Sequence, residues 1–168
     1  PAAAPAAASS KPAVGADCAT TVEANDMMQY NADSITVPAS CTQFTINLKH
    51  TGKLAANVMG HNVVIAKEAD MAGIGAEFVH VIAKNGAAEV LNDLISGDTQ
   101  FALLNVATGA THVKAGDTRA IAHSKVIGGG ESTSVSFDVA KIKDGGPFKF
   151  FCSFPGHLAL MQGSIQVQ

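Results

Sequence analysis

This chain has little charge: 15% of its 168 residues are Asp, Glu, Lys or Arg. Eleven basic side chains stand against 14 acidic ones, a formal balance of −3, and no polybasic segment is present. That balance gives no electrostatic reason to expect nucleic acid or an anionic membrane surface as a partner. No apolar run approaches the roughly 18 to 20 residues that span a bilayer, and no internal repeat is evident. What is present is ample apolar content, 47%, enough to build the core of one domain.

The opening "PAAAPAAASSKPAVGAD" reads as a mature or trimmed terminus, with no signal peptide in view. Its Pro, Ala and Ser residues cannot build a core, so residues 1–16 are expected to form an extended or disordered tether. It is read either as a flexible end or as a spacer from a lipid anchor upstream of residue 1. Residues 17–168 are expected to form the folded domain.

Cysteine is scarce as well, with three in the chain. The simplest arithmetic pairs Cys18 with Cys41 across what reads as two short strands joined by an Asn/Asp turn, leaving Cys152 alone. Such a bridge implies an oxidising compartment. The alternative is three reduced thiols in a cytosolic protein.

From residue 18 onward the pattern is mostly of period two. "QFTINLKH" (43–50) alternates Phe44, Ile46 and Leu48 with polar neighbours, and "STSVSFDVA" (132–140) alternates Val135, Phe137 and Val139. Residues 62–66, 118–127 and 163–168 are further strand candidates, with "PFKFFC" before the closing loop. Glycine- and aspartate-bearing turns punctuate them. The pattern predicts an all-β, antiparallel sandwich or barrel. Residues 67–117 are the exception: apolar spacing predicts two short helices, over 67–86 and 87–98, then an irregular or short β excursion.

The closing stretch "FKFFCSFPGHLALMQGSIQVQ" places Cys152, His157 and Met161 within one loop. Each is a soft or borderline ligand for a transition metal, and each is also an ordinary packing residue. Pro155-Gly156 forces a turn that can gather the three side chains. A blue-copper site needs one thiolate, two imidazoles and a weak axial thioether, so one histidine is missing from the loop. His50, His61, His80, His112 and His123 are the candidates. His61 is the best, following Gly60 in "NVMGHN" at the start of an apolar strand, and copper is the metal that fits such a set best.

Gly-His-Asn near the middle and Cys-x4-His-x3-Met near the end resemble the azurins, which are bacterial cupredoxins. "NDMMQY", "SITV", "QFTINLKH", "NVMGHN", "AHSK" and "CSFPGH" follow in the same order. The likeness covers about residues 17–75 and 115–168. It implies a Greek-key β-sandwich holding one type 1 copper ion. His61, Cys152 and His157 would be equatorial ligands, Met161 the axial ligand and the Gly60 carbonyl a distant fifth contact. Asn62 would brace the cysteine loop, and the backbone N–H groups of Asn62 and Phe154 would tune the sulfur. The Cys18–Cys41 bridge matches the family disulfide.

The chain departs from the family between Met71 and His123, where it is roughly twice as long. The extra residues are expected in a helical insertion, about 67–117, outside the sandwich, serving as a lid or as a docking or subunit surface. The family's usual tryptophan is Val63 here, and the chain has no tryptophan. His80 and His112 are read as surface or packing residues, and His123 as an exposed strand residue. His50 is read as a satisfied structural histidine, with a pH-responsive role the alternative. Met28 and Met59 are read as packing methionines rather than ligands.

The resemblance implies a one-electron carrier cycling between Cu(I) and Cu(II), not an enzyme, because no coordination position stays open. Electrons would pass through the exposed edge of His157 within an apolar patch of Met28, Leu54, Val58, Met59, Phe154, Pro155, Gly156, Ala159 and Leu160. The partners implied are redox proteins such as c-type cytochromes or a copper reductase or oxidase. The expected location is the bacterial envelope, periplasmic or tethered to the outer membrane. The competing readings are a carrier or buffer delivering the copper ion itself and a copper-free interaction domain.

Overall fold

The structure is a computed structural model, and it describes residues 12–83 and 119–168. Among the described residues nine strands form two sheets. They are β1 (Ala19–Asn25), β2 (Gln29–Tyr30), β3 (Ser34–Val37), β4 (Gln43–His50), β5 (Val64–Lys67), β6 (Ala120–His123), β7 (Ser132–Asp138), β8 (Phe148–Phe151) and β9 (Gln162–Val167). One sheet runs β2-β1-β4-β7 and the other β3-β9-β8-β5-β6. The expected all-β, two-sheet architecture is therefore present.

The sheets are mixed rather than antiparallel throughout. β1 pairs parallel with β4, and β3 parallel with β9. The reason is the path of the chain: it leaves β1, crosses to the other sheet for β3, and returns to run β4 alongside β1. A hairpin would have forced antiparallel pairing. The segment between Cys18 and Cys41 thus holds the expected short hairpin, β1 with β2 across the Asn25-Asp26 turn, and sends a further strand, β3, to the other sheet.

Alternation decides what lies between the sheets. Along β4, Phe44, Ile46 and Leu48 are fully buried while Gln43 and Lys49 are exposed. They meet Val22, Val135 and Phe137 of their own sheet and Ile35, Val37, Ile65, Phe150 and Ile165 of the other. Burying each such side chain stabilises the fold by about 1.5–3 kcal/mol relative to leaving it in water. The same period puts His50, the last residue of β4, on the inner face and fully buried.

The strand predicted over 132–140 ends at Asp138, and Val139–Ile142 forms a 3-10 turn that still buries Val139 and Ile142. Cys18 and Cys41 are bonded, with Cα atoms 5.9 Å apart. The bridge ties the start of β1 to the β3–β4 loop and is worth about 3 kcal/mol by loop-closure entropy. Within the span expected as a tether, residues 12–16 lie against β1. Val14 bridges Thr20, and the Thr20 hydroxyl donates to the Ala13 carbonyl at 2.8 Å.

Among the described residues two α-helices accompany the sheets. The short α1 (Ala56–Met59) precedes Gly60, and α2 (Glu68–Ala83) follows β5 directly. The first predicted helix of the insertion is α2. It lies outside the sandwich, where Ile74 and Met71 pack with Val64, Ala66, Phe151 and Leu158 on the outer face of the second sheet. That explains why β5 is apolar at successive positions: Ile65 faces inward and Val64 and Ala66 face the helix. The helix expected over 87–98, the excursion after it, and His112 lie outside the described residues. Among the described residues no helix is long and apolar enough to cross a membrane.

Candidate metal centre

Three loops converge at one end of the sandwich. The β1–β2 turn is fastened to the loop before α1 by Asp26, whose carboxylate accepts the N–H groups of Lys53 and Leu54 at 2.8 and 3.3 Å. The Lys53 contact is the main reason the Asp26 carboxyl lies below its usual range. The segment after α1 meets the closing loop at Gly60, where a β-carbon would stand 2.9 Å from the Phe154 ring. Between these loops lie His61, Cys152 and His157, whose candidate ligand atoms are all within 4.8 Å of one another.

The closing loop shapes itself. The Cys152 N–H donates to the Met161 carbonyl at 3.0 Å, and the Met161 N–H donates to the His157 carbonyl at 2.8 Å. The loop is thereby clamped at its two ends, and Gly156 supplies the left-handed residue of the turn at φ +79°. His157 Nδ1 comes within 3.6 Å of Cys152 Sγ. Met161 is fully buried beneath them. Behind the loop, Leu158 packs against α2, where a β-carbon at Gly75 would stand 2.7 Å from it.

His61 arrives from the other side. It precedes β5 and forms an isolated bridge with Ile127. Its Nε2 bonds the Asn25 carbonyl at 2.8 Å, so the proton sits on Nε2. Nδ1 is then a bare lone pair, buried and without a hydrogen-bond partner. A buried acceptor left empty is costly, and a bound cation resolves that cost. Two imidazole nitrogens and a thiol sulfur converging on one buried point therefore fit a copper ion by chemistry as well as by position.

Burial sets the protonation of the donors. It lowers the pKa of both His61 and His157 to about 4, so both imidazoles are neutral at pH 7. It pushes the Cys152 thiol up to about 11, against the opposing pull of the Asn62 and Phe154 N–H groups and the Tyr30 hydroxyl. Asn62 is fully buried and braces the cysteine loop twice: its Oδ1 accepts the Ser153 N–H and its Nδ2 donates to Ser153 Oγ, each at 2.9 Å. The Gly60 carbonyl lies 3.9 Å from Cys152 Sγ.

A family profile described as copper-binding proteins of the plastocyanin/azurin family matches residues 16–168. The chain belongs to that family. It is 46% identical over 160 residues to an azurin from Achromobacter denitrificans, covering 95% of this chain and 91% of that protein. An azurin from Bordetella pertussis is 47% identical over 161 residues, covering 96% and 91%. A solved azurin from Methylomonas sp. strain J matches with a TM-score of 0.70 at 37% identity, covering 91% of this chain and 99% of that one. As an azurin-family protein with a His-Cys-His site, this chain is a type 1 copper electron carrier.

The remaining expected positions sort themselves around this centre. His50 is buried, its Nδ1 accepting the Gly52 N–H at 3.0 Å and its Nε2 donating to the Met59 carbonyl at 2.9 Å, which bears out the structural reading. Its ring stacks 4.4 Å from that of His61. His123 lies on β6 but is half-buried rather than exposed, opposite Val64, with its Nδ1 buried. Leu54, Val58, Ala159 and Leu160 are exposed, while Met59, Phe154 and Pro155 are half-buried. Met28 is half-buried and packs on the main core, whereas its neighbour Met27 is 67% exposed.

His157 is only 2% exposed although its loop lies at the surface, because the Phe154 ring centroid stands 4.8 Å away. Sequence reasoning did not single out Asn25, Ser153 or Tyr30. The first acts through its backbone carbonyl, which carries no residue signature. The other two matter only because folding brings β2 and Asn62 alongside the cysteine loop.

Proposed function

We propose that His61 Nδ1, the Cys152 sulfur and His157 Nδ1 would hold the copper ion, with the Met161 thioether and the Gly60 carbonyl as weaker donors beside them. The observation that carries this reading is the buried, unpartnered His61 Nδ1 aimed at the same point as the other two donors. Copper held there supplies a one-electron couple between Cu(II) and Cu(I). The chain contributes rigidity: Asn25 fixes the His61 tautomer, the Cys152–Met161 clamp fixes the loop, and Asn62 ties the two segments together. Ligands fixed in this way rearrange little between oxidation states, so little reorganisation opposes electron exchange. With the donor set closed, the protein acts as a carrier and not as an enzyme.

Electrons are exchanged through the slim edge of His157, beneath Phe154 and within a rim formed by Leu54, Val58, Met59, Pro155, Ala159 and Leu160. The apolar, largely uncharged rim suits brief encounters at the small end of interface sizes. Met27 belongs to the same end and extends the rim, with Met28 tucked beneath. The partners are redox proteins of the c-type cytochrome or copper oxidase and reductase kind. The disulfide supports a location in the oxidising bacterial periplasm.

One equivalent of Cu(II) added to metal-free protein should give an intense visible band from the Cys152 thiolate. Cys152→Ser should abolish the band and Cys18→Ser should retain it. A colourless Cu(II) complex overturns the ligand assignment. Stopped-flow mixing with a reduced c-type cytochrome should oxidise the cytochrome while the copper stays bound. Appearance of metal-free protein in that exchange overturns the carrier role in favour of ion delivery.

A further inference from the structure

Tyr30 is the chain's single tyrosine, and it reaches the metal centre without belonging to the ligand set. It lies on β2, with its ring against Phe150 at a centroid distance of 5.7 Å. Its hydroxyl donates to the Asn62 carbonyl. Asn62 is therefore held at its backbone by Tyr30 and at both ends of its side chain by Ser153. The N–H of this same residue opposes the burial-driven rise of the Cys152 thiol.

The hydroxyl and that sulfur also act on each other: the hydroxyl opposes the burial-driven rise of the thiol, and the phenol is pushed well above its ordinary range by burial and then by Cys152. A phenol carries one proton, and the Asn62 carbonyl takes it here.

We propose that Tyr30 is a positioning residue for the Cys152 thiolate. Seated on the Asn62 carbonyl, its hydroxyl holds Asn62, whose side chain in turn ties Ser153, the neighbour of Cys152, in place. This rests on Cys152 being the copper thiolate. Donors on that sulfur draw electron density from it, which favours the reduced form of the site.

Tyr30→Phe keeps the ring on Phe150 and removes only the hydroxyl. The copper-loaded variant should be harder to reduce, its equilibrium with a redox mediator shifting by roughly threefold to tenfold, the scale of one net hydrogen bond. Its thiolate band should move to lower energy. In the metal-free variant the amide protons of Asn62 and Ser153 should exchange faster with solvent. An unchanged potential together with an unchanged band overturns the proposal. Tyr30→Leu separates packing from the hydroxyl: it should lose stability and show the same potential shift as Tyr30→Phe. A shift in the Leu variant alone would mean that Tyr30 acts by packing, and the proposal fails. If the unsubstituted protein itself gives no intense band, the ligand assignment has failed instead.

Discussion

His157 Nδ1 stands 3.6 Å from Cys152 Sγ, although neither residue belongs to a strand and five positions separate them in sequence. Their approach is built by the loop itself, through the left-handed Gly156 and the backbone clamp between Cys152 and Met161. The third donor, His61, comes from a distant segment and depends on Asn62 to hold that segment against the loop. The centre thus has one locally encoded half and one assembled half, and perturbations of each should differ.

Asn62→Ala removes the assembled half's brace. It removes two hydrogen bonds from the buried Ser153, which should destabilise the protein by about 2–4 kcal/mol. Copper affinity should fall by roughly 10- to 100-fold, as for other partners of metal ligands. Chemical denaturation of the metal-free protein and competitive metal titration measure the two effects separately. An unchanged affinity would show that the loop alone positions the ligands.

The metal-free protein should weaken in mild acid. His61 and His157 have pKa values of about 4 in the fold, against 6.5 for an unperturbed imidazole, because burial disfavours the charged form. Between those values the unfolded chain binds protons that the folded one refuses, so stability falls as pH drops from 6.5 towards about 4. Above 6.5 both states are neutral and this contribution does not vary with pH. Replacing both histidines with glutamine should flatten the profile across that window, as read by urea midpoints at a series of pH values. Copper binding at pH 7 should release a proton, that of the Cys152 thiol, measurable in weakly buffered titrations.

Gly60→Ala and Gly156→Ala should fail for different reasons. At Gly60 the backbone is ordinary, but a β-carbon would stand 2.3 Å from the Ala56 carbonyl oxygen and 2.5 Å from Val126 Cγ1. Forcing it in should cost about 1–3 kcal/mol and displace His61. At Gly156 there is open space, and the cost is the left-handed backbone alone, about 1–2 kcal/mol. Gly60→Ala should therefore disturb the thiolate band strongly and Gly156→Ala weakly. Equal disturbance by both would contradict the close packing at Gly60.

Leu160→Asp tests the rim. The side chain is 63% exposed and makes no part of the core, so stability should change by less than about 0.5 kcal/mol. The spectrum should be unaltered. Electron exchange with a cytochrome should slow by roughly tenfold, since a charge must be desolvated in an apolar contact. A rate unchanged in stopped-flow mixing would place the encounter elsewhere on the surface.

Much of this protein is written in local pattern. The period-two runs of β4 and β7 place Phe44, Ile46, Val135 and Phe137 inside because successive side chains of a strand face opposite ways. The Cys152, His157 and Met161 spacing names the loop and its metal chemistry because a turn of that length gathers its own side chains. The lone cysteine identified itself once Cys18 and Cys41 were paired.

Tertiary structure decided the rest. No local spacing could say that β1 runs parallel to β4, since that follows from the chain crossing to the other sheet and back. Nor could it say that Asn25 offers its carbonyl to His61, or that Met27 and not Met28 faces solvent, because a turn's outward side is fixed only when it is docked. Tyr30 reads in sequence as one aromatic residue in a short strand. It becomes a partner of Asn62, beside the cysteine loop, because β2 and the Asn62 segment, 32 residues apart, are brought together by the fold.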